Sequence, residues 1–224
     1  VGATPVFADV DSISGNITAS TIEKVISKKS KAIIPVHLAG WPCEMDPILE
    51  LAKNNGMFVI EDCAQAHGAQ YKGKPVGGIG DIGTWSFCQD KIMTTAGEGG
   101  MITTNSEEIW NKCWEFKDHG KSYKKMNTPN SGGCFQLVHD SIGTNLRMTE
   151  IQGAVGRVQL TEMDEWTKLR RENAMAIQSE ICSISALCVP EVPSYMTHAW
   201  YKVYVYVKPE ALSSSWNRDR IVKE

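Results

Sequence analysis

No apolar run in the 224-residue sequence approaches the ~18 residues that cross a bilayer, and no charged-then-apolar leader opens it. A membrane-spanning chain is therefore not expected. Basic residues are not in excess. Lys and Arg total 23 against 26 Asp and Glu, a net charge of −3. That balance offers no electrostatic footprint for a nucleic-acid backbone or an anionic membrane. The seven cysteines include no CxxC pair and no Cys/His ladder. An odd, unpatterned set of thiols argues against a disulfide framework or a zinc site, and is expected of a reduced, cytoplasmic protein. Repeats and low-complexity tracts are absent too, which removes the fibrous and disordered classes. The composition itself is ordinary for a globular protein, with 42% hydrophobic and 22% charged residues. The length suits one large domain, or one and part of another. The chain starts at Val1 without methionine and ends in Asn217–Glu224, which reads as a helix just beginning. Both ends are expected to be cuts in a longer protein.

Hydrophobic patterning gives the architecture. Residues 31–38 (KAIIPVHL) form a short apolar run, as in a buried parallel strand. Asp46-Pro47 is expected to cap a helix with Pro at its first position, carrying Ile48, Leu51 and Ala52 and stopping near Gly56. Met57–Ile60 is a second strand, ending in Glu61-Asp62. Strand, helix and strand in that order imply a parallel sheet with covering helices, an α/β fold. Ser20-Thr21-Ile22-Glu23 fits a capping box opening a helix to about Ser27. Segments 81–88 and 99–104 read as strands around a polar, Gly-rich stretch. Asn105 or Ser106 is expected to cap a helix carrying Ile109, Trp110, Cys113 and Trp114, with a long loop over 117–135. Thr149-Glu150-Ile151-Gln152 is another capping box, opening one long helix with Ile151, Val155, Val158, Trp166 and Leu169 at helical spacing. The aromatic and β-branched run Trp200–Val207 predicts a strand of a different sheet. A smaller second domain is expected to begin near residues 171–180.

Gly78-Ile79-Gly80-Asp81-Ile82-Gly83 matches the GxGxxG dinucleotide fingerprint. The fingerprint works only between a strand and a helix, where pyrophosphate meets the helix N-terminus. Here a turn (Lys72–Pro75) precedes it and strand-like Thr84–Phe87 follows. It is expected to be a glycine-rich connection and not an NAD site. Asn16-Ile17-Thr18 fits a glycosylation acceptor without meaning in a cytoplasmic protein.

Asp62 closes a buried strand, where open α/β sheets place ligands, and Lys91 follows in a polar loop after the next strand. Such a pair suits pyridoxal phosphate (PLP), which takes a lysine amine as Schiff base and a carboxylate opposite its pyridine nitrogen. An Asp and a Lys alone are weak grounds, since most are surface charges.

The surrounding residues carry a resemblance. Val59-Ile60-Glu61-Asp62-Cys63-Ala64-Gln65-Ala66-His67-Gly68-Ala69 and Trp85-Ser86-Phe87-Cys88-Gln89-Asp90-Lys91, continuing to Gly100, closely resemble two signature segments of the DegT/DnrJ/EryC1/StrS family of sugar aminotransferases. Segments 1–9 (VGATPVFAD), 31–40 (KAIIPVHLAG) and 143–156 (GTNLRMTEIQGAVG) agree, in family order, and the likeness runs to about residue 207. The resemblance implies the three-layer αβα fold of fold type I PLP-dependent transferases. It implies a PLP-binding large domain over 1–172, lacking its N-terminal part, and the start of an α+β small domain over 173–224. Lys91 matches the lysine that forms the internal aldimine and later shuttles a proton. Asp62 matches the partner of the pyridine nitrogen, Gln65 the residue bonded to the cofactor's phenolic oxygen, and Ser86 a phosphate ligand. Asn145 matches an asparagine that reaches the phosphate of the neighbouring subunit, so a homodimer is implied. Cys88 stands where the family often has His, whereas the lysine itself is retained, unlike in the family's dehydratases.

The bland reading of each residue is a solvated loop lysine for Lys91, a cap for Asp62, backbone satisfaction for Gln65 and Ser86, and a turn for Asn145. His37, His67, His119 and His198 are expected to pack or bond structurally, with His119 placed to face substrate if any does. Trp200 and Tyr201 are expected in the core. The function implied is transfer of an amino group from L-glutamate to a keto group of a nucleotide-linked deoxysugar, with ping-pong kinetics. The alternatives are another cyclic ketone, such as a keto-inositol or aminoglycoside precursor, and a non-catalytic regulator that keeps the fold.

Overall fold

Gly56, at φ 62°, turns the chain out of a helix into Phe58-Val59-Ile60, whose bulky and β-branched side chains favour a strand. A computed structural model of the chain describes residues 1–129 and 138–224. Its main sheet has the order β1-β2-β5-β6, formed by Ala32–Ile33, Phe58–Asp62, Ile82–Ser86 and Gly100–Thr103. β1, β2 and β5 run parallel, as the sequence implies, while β6 is antiparallel to β5. Residues 87–99 between β5 and β6 contain no helix to carry the chain back across the sheet, so β6 returns directly. The first strand is shorter than expected. Pro35, which has no N–H to add to a ladder, interrupts it, and only a bridge between Val36 and Asp62 continues the pairing.

Helices α1 (Ala19–Glu23) and α2 (Met45–Asn54) cover this sheet. α2 buries Met45, Ile48 and Ala52, which join Ile22, Ile33, Val59 and Tyr71 in the larger core cluster. Both caps differ from expectation. Thr18 and Thr21 form the capping box of α1, so its start lies ahead of Ser20. α2 begins behind Glu44, which makes no side-chain cap bond, while the carboxylate of Asp46 pairs with Lys72 at 2.6 Å instead of capping. Pro47 then takes the third helical position, where its missing N–H still costs nothing.

β3 (Gln70–Tyr71) and β4 (Lys74–Pro75) make a hairpin between β2 and β5. Ser106, one of the two expected candidates, caps α3 (Glu107–Lys117). The expected loop over 117–135 contains a short helix, α4 (Tyr123–Asn127), capped by Ser122; the part of that loop from 130 lies outside the described residues. Thr149 and Gln152 form the predicted capping box of α5 (Glu150–Thr161). The single long helix is broken at Glu162, where α6 (Met163–Cys182) begins. Ile151, Val158 and Leu169 of the expected apolar stripe are exposed.

The later chain folds back on the earlier. β7 (Leu187–Cys188) pairs with β9 (Tyr206–Val207), and β8 (Met196–Thr197) pairs with β3. The expected strand Trp200–Val207 is reduced to β9. Trp200 sits at φ 54°, and the N–H groups of Tyr201 and Lys202 bond the Ala39 carbonyl at 3.0 and 3.3 Å instead of a strand neighbour. The residues around the position expected to divide two domains, 172, lie inside α6. α7 (Arg218–Lys223) is capped by Asn217. No described helix is long and apolar enough to cross a membrane.

Candidate active site

β2 and β5 are parallel neighbours with Asp62 opposite Thr84, so Asp62 and Ser86 end adjacent strands on one sheet edge. This C-terminal edge is where open α/β sheets hold ligands. Residues 87–99 leave from the same edge and carry Lys91, whose N–H bonds the Cys88 carbonyl at 3.0 Å.

Each side chain is held at one end and open at the other. One Asp62 carboxylate oxygen accepts the Ala64 N–H at 3.0 Å; the other has no hydrogen-bond partner among the described residues. The Asp62 backbone is fixed on both sides, its N–H on Pro35 at 2.9 Å and its carbonyl taking the His37 N–H at 3.1 Å. The Gln65 Oε1 accepts the N–H of Ala39 at 2.7 Å. That bond assigns the amide orientation and leaves the Nε2 hydrogens to donate. The Ser86 oxygen accepts the Cys88 N–H at 3.3 Å, which leaves its hydrogen free. Cys88, at the position where a histidine is frequent, points its thiol at Glu98, 3.4 Å away. Lys91 is half-buried and has no ion-pair partner among the described residues; its ammonium stands 5.2 Å from the ring centre of Tyr201.

Asn145 makes no hydrogen bond with this group among the described residues. It lies in an exposed segment bridged to Asp118, and its Oδ1 accepts the Arg147 N–H at 3.3 Å. Arg147 pairs with Asp118, which also meets Lys121 at 3.3 Å. His119 lies beside this anchor at φ 58°, its N–H on the Thr144 carbonyl at 3.0 Å.

The glycine-rich connection does cradle an anion, but the anion is the protein's own. Glu61, fully buried, accepts the N–H groups of Gly77, Ile79 and Gly80 at 2.8, 2.8 and 2.7 Å and the Nε2 of His37 at 3.0 Å. His37 Nδ1 accepts the Cys43 N–H at 3.0 Å, so the ring is the neutral tautomer with its proton on Nε2. Burial alone would raise the Glu61 carboxyl, but its hydrogen bonds from His37, Gly80 and Gly77 outweigh that and hold it below its usual value. Glu61, His37 and Cys63 are close enough to surround a metal ion. Their chemistry argues against one. The carboxylate is saturated by four donors, both imidazole nitrogens are engaged, and burial keeps the Cys63 thiol protonated.

On the opposite face of β5 from Ser86, Trp85 and Phe87 line a cavity of about 600 Å³ with His67, Met101, Gly156 and Leu160. It includes none of Asp62, Gln65, Ser86 and Lys91. Neither ring nitrogen of the buried His67 has a partner among the described residues. Burial first, then Arg170 and Lys91, push its pKa down to about 4.

Sequence reasoning missed two members of this region. Glu61 was legible in principle: with Val59 it falls on the buried face by strand alternation, beside a segment rich in free N–H groups. Tyr201, expected in the core, is half-buried against Lys91 and had no local signal.

Comparison with known proteins matches the whole chain, residues 1–224, to the DegT/DnrJ/EryC1/StrS aminotransferase family. The chain is 45% identical over 183 residues to GDP-perosamine synthase of Escherichia coli O157:H7, covering 82% of this chain and 47% of that protein. It is 38% identical over 202 residues to a UDP-N-acetyl-3-dehydro-alpha-D-glucosamine 3-aminotransferase of Acidithiobacillus ferrooxidans, covering 90% and 51%. Among solved structures, an aminotransferase from Psychrobacter cryohalolentis superposes with a TM-score of 0.95 at 52% identity, covering 100% of this chain and 58% of that one. The chain therefore spans about half the length of the curated relatives it matches.

Proposed function

The chain belongs to the DegT/DnrJ/EryC1/StrS aminotransferase family, and on that premise we propose that it is part of a PLP-dependent sugar aminotransferase with Lys91 as the point of cofactor attachment. The observation that carries the reading is the shared sheet edge of Asp62, Gln65, Ser86 and Lys91, each with its reactive end open. The set fits the cofactor's chemistry. A free carboxylate oxygen suits a ring nitrogen, an amide N–H a phenolic oxygen, a hydroxyl hydrogen a phosphate, and an amine an aldehyde. PLP, when bound, supplies a carbonyl to carry the amino group and a ring that accepts electrons. The chain's residues supply the rest. The free carboxylate oxygen of Asp62 would keep a proton on the ring nitrogen. Gln65 and Ser86 orient. Lys91 would be the point of attachment and would move a proton at the substrate carbon, which is general acid–base work.

The acceptor we propose is a keto group on a nucleotide-linked sugar, which the names of the GDP- and UDP-sugar relatives support. L-Glutamate is the proposed donor. Two half-reactions in succession give ping-pong kinetics. Asn145, exposed and not hydrogen-bonded to the edge residues, fits a contribution to the site of a second subunit, hence a homodimer.

The test is borohydride reduction of the natural-length protein after incubation with PLP, followed by peptide mapping. A reduced adduct confined to Lys91, and lost in Lys91→Ala, is expected. Adducts scattered over many lysines, or none on folded protein, would overturn the assignment.

A further inference from the structure

Tyr201 reaches the lysine loop from a distant part of the chain. Its hydroxyl donates to Asp90 Oδ2 at 2.9 Å across 111 residues of sequence. Its ring lies 5.2 Å from the Lys91 ammonium and 5.5 Å from that of Lys202. Its backbone is not free to drift. The Tyr201 N–H bonds the Ala39 carbonyl at 3.0 Å, and the Ala199 N–H bonds the Gly40 carbonyl at 2.9 Å. The same Ala39 gives its own N–H to Gln65 Oε1. One turn, residues 38–40, thus orients the Gln65 amide and anchors the ring that faces Lys91.

We infer that Tyr201 is a positioning residue for the Lys91 amine, with Asp90 and the Ala39 turn holding its ring in place. This rests on the reading of Lys91 as the reactive amine. In that chemistry the lysine must leave its covalent link and remain near the reacting carbon to move a proton. A lysine side chain has four flexible bonds and prefers bulk water. An aromatic face at the loop gives the released ammonium a resting place inside the site, by attraction to the ring's electron-rich face. Asp90 keeps that face turned inward. The Tyr201 hydroxyl is held protonated by burial and by its bond to Asp90, so the ring stays neutral and does not add a charge beside the lysine.

The test needs no turnover. Cofactor-free protein of natural length is acylated with trace acetic anhydride, and the rate at Lys91 is measured by peptide mass spectrometry against exposed Lys24 as internal standard. Loss of the ring in Tyr201→Ala is expected to raise the relative Lys91 rate about two- to fivefold. Tyr201→Phe keeps the ring and the backbone anchors but loses the Asp90 bond, so it should raise the ratio only part of the way, as Asp90→Ala does. Asp90→Ala, an exposed change that spares the core, should raise the ratio part of the way, and it serves if Tyr201→Ala fails to fold. PLP trapping at Lys91 should fall in the same order as the acylation ratio rises. Equal ratios in wild type and folded Tyr201→Ala, or Tyr201→Phe behaving like Tyr201→Ala, would overturn the inference. If wild type takes no PLP at Lys91 but the ratios change as described, the cofactor reading fails and the positioning of the amine stands.

Discussion

Glu61 stays charged in the core because three backbone N–H groups and the His37 ring converge on its carboxylate. His67 and His198 are buried without such compensation, and burial lowers both pKa values to about 4. These residues set the acid response of the fold. A histidine harder to protonate in the folded state contributes stability that is complete above its ordinary pKa of 6.5. That contribution is lost as pH falls from there toward about 4, because only the unfolded chain takes the proton. Each histidine accounts for up to about 3 kcal/mol over that window. The lowered Glu61 works at more acid pH. Its contribution holds above the ordinary 4.5 and disappears only as pH falls through its depressed folded value. Urea midpoints should therefore drop between pH 6.5 and 4.5, and His67→Leu should make the drop shallower. A midpoint flat across that range would refute the burial argument for both histidines.

At the scale of elements, the turn at residues 38–40 is a tight junction near the site. Gly40 has φ 94°, and a methyl there would meet Ala199 Cβ at 2.8 Å and the Gln65 carbonyl at 3.0 Å. Gly40→Ala is expected to cost about 1–3 kcal/mol and to loosen the 199–202 segment from Ala39. Ala39, itself at φ 58°, offers the contrast: Ala39→Gly relieves a left-handed alanine and should be neutral within about 1 kcal/mol. Thermal melting of the two variants separates them; equal melting would mean the junction tolerates the methyl. Element starts were legible where the capping partners are close in sequence and nothing else competes. Thr149 and Gln152 satisfy each other, so α5 begins where its sequence says. Asp46 looked equally good, but Lys72 claims its carboxylate and α2 begins elsewhere.

For the whole molecule, the exposure of Asn145 carries the consequence. If Asn145 completes a neighbour's site, Lys91→Ala and Asn145→Ala proteins, each defective alone, should complement when unfolded and refolded together. One good site forms in each mixed dimer, so about a quarter of wild-type activity returns. No gain on mixing would place Asn145 outside a shared site.

Local sequence was enough for the parallel strand–helix–strand unit, the Asp62 end of β2, the α5 cap and the family, and it narrowed the α3 cap to Asn105 or Ser106. The elements rest on neighbours within a few positions and on short apolar runs, whereas the family rests on the resemblance of several segments in order. Tertiary structure alone decided that β6 runs antiparallel, that the glycine-rich connection wraps Glu61, and that the chain after Trp200 leaves a ladder to bond Ala39. Those outcomes join residues far apart in the chain, as Tyr201 and Asp90 do. Their bonds form only once folding has already brought the partners together, so no local pattern announces them.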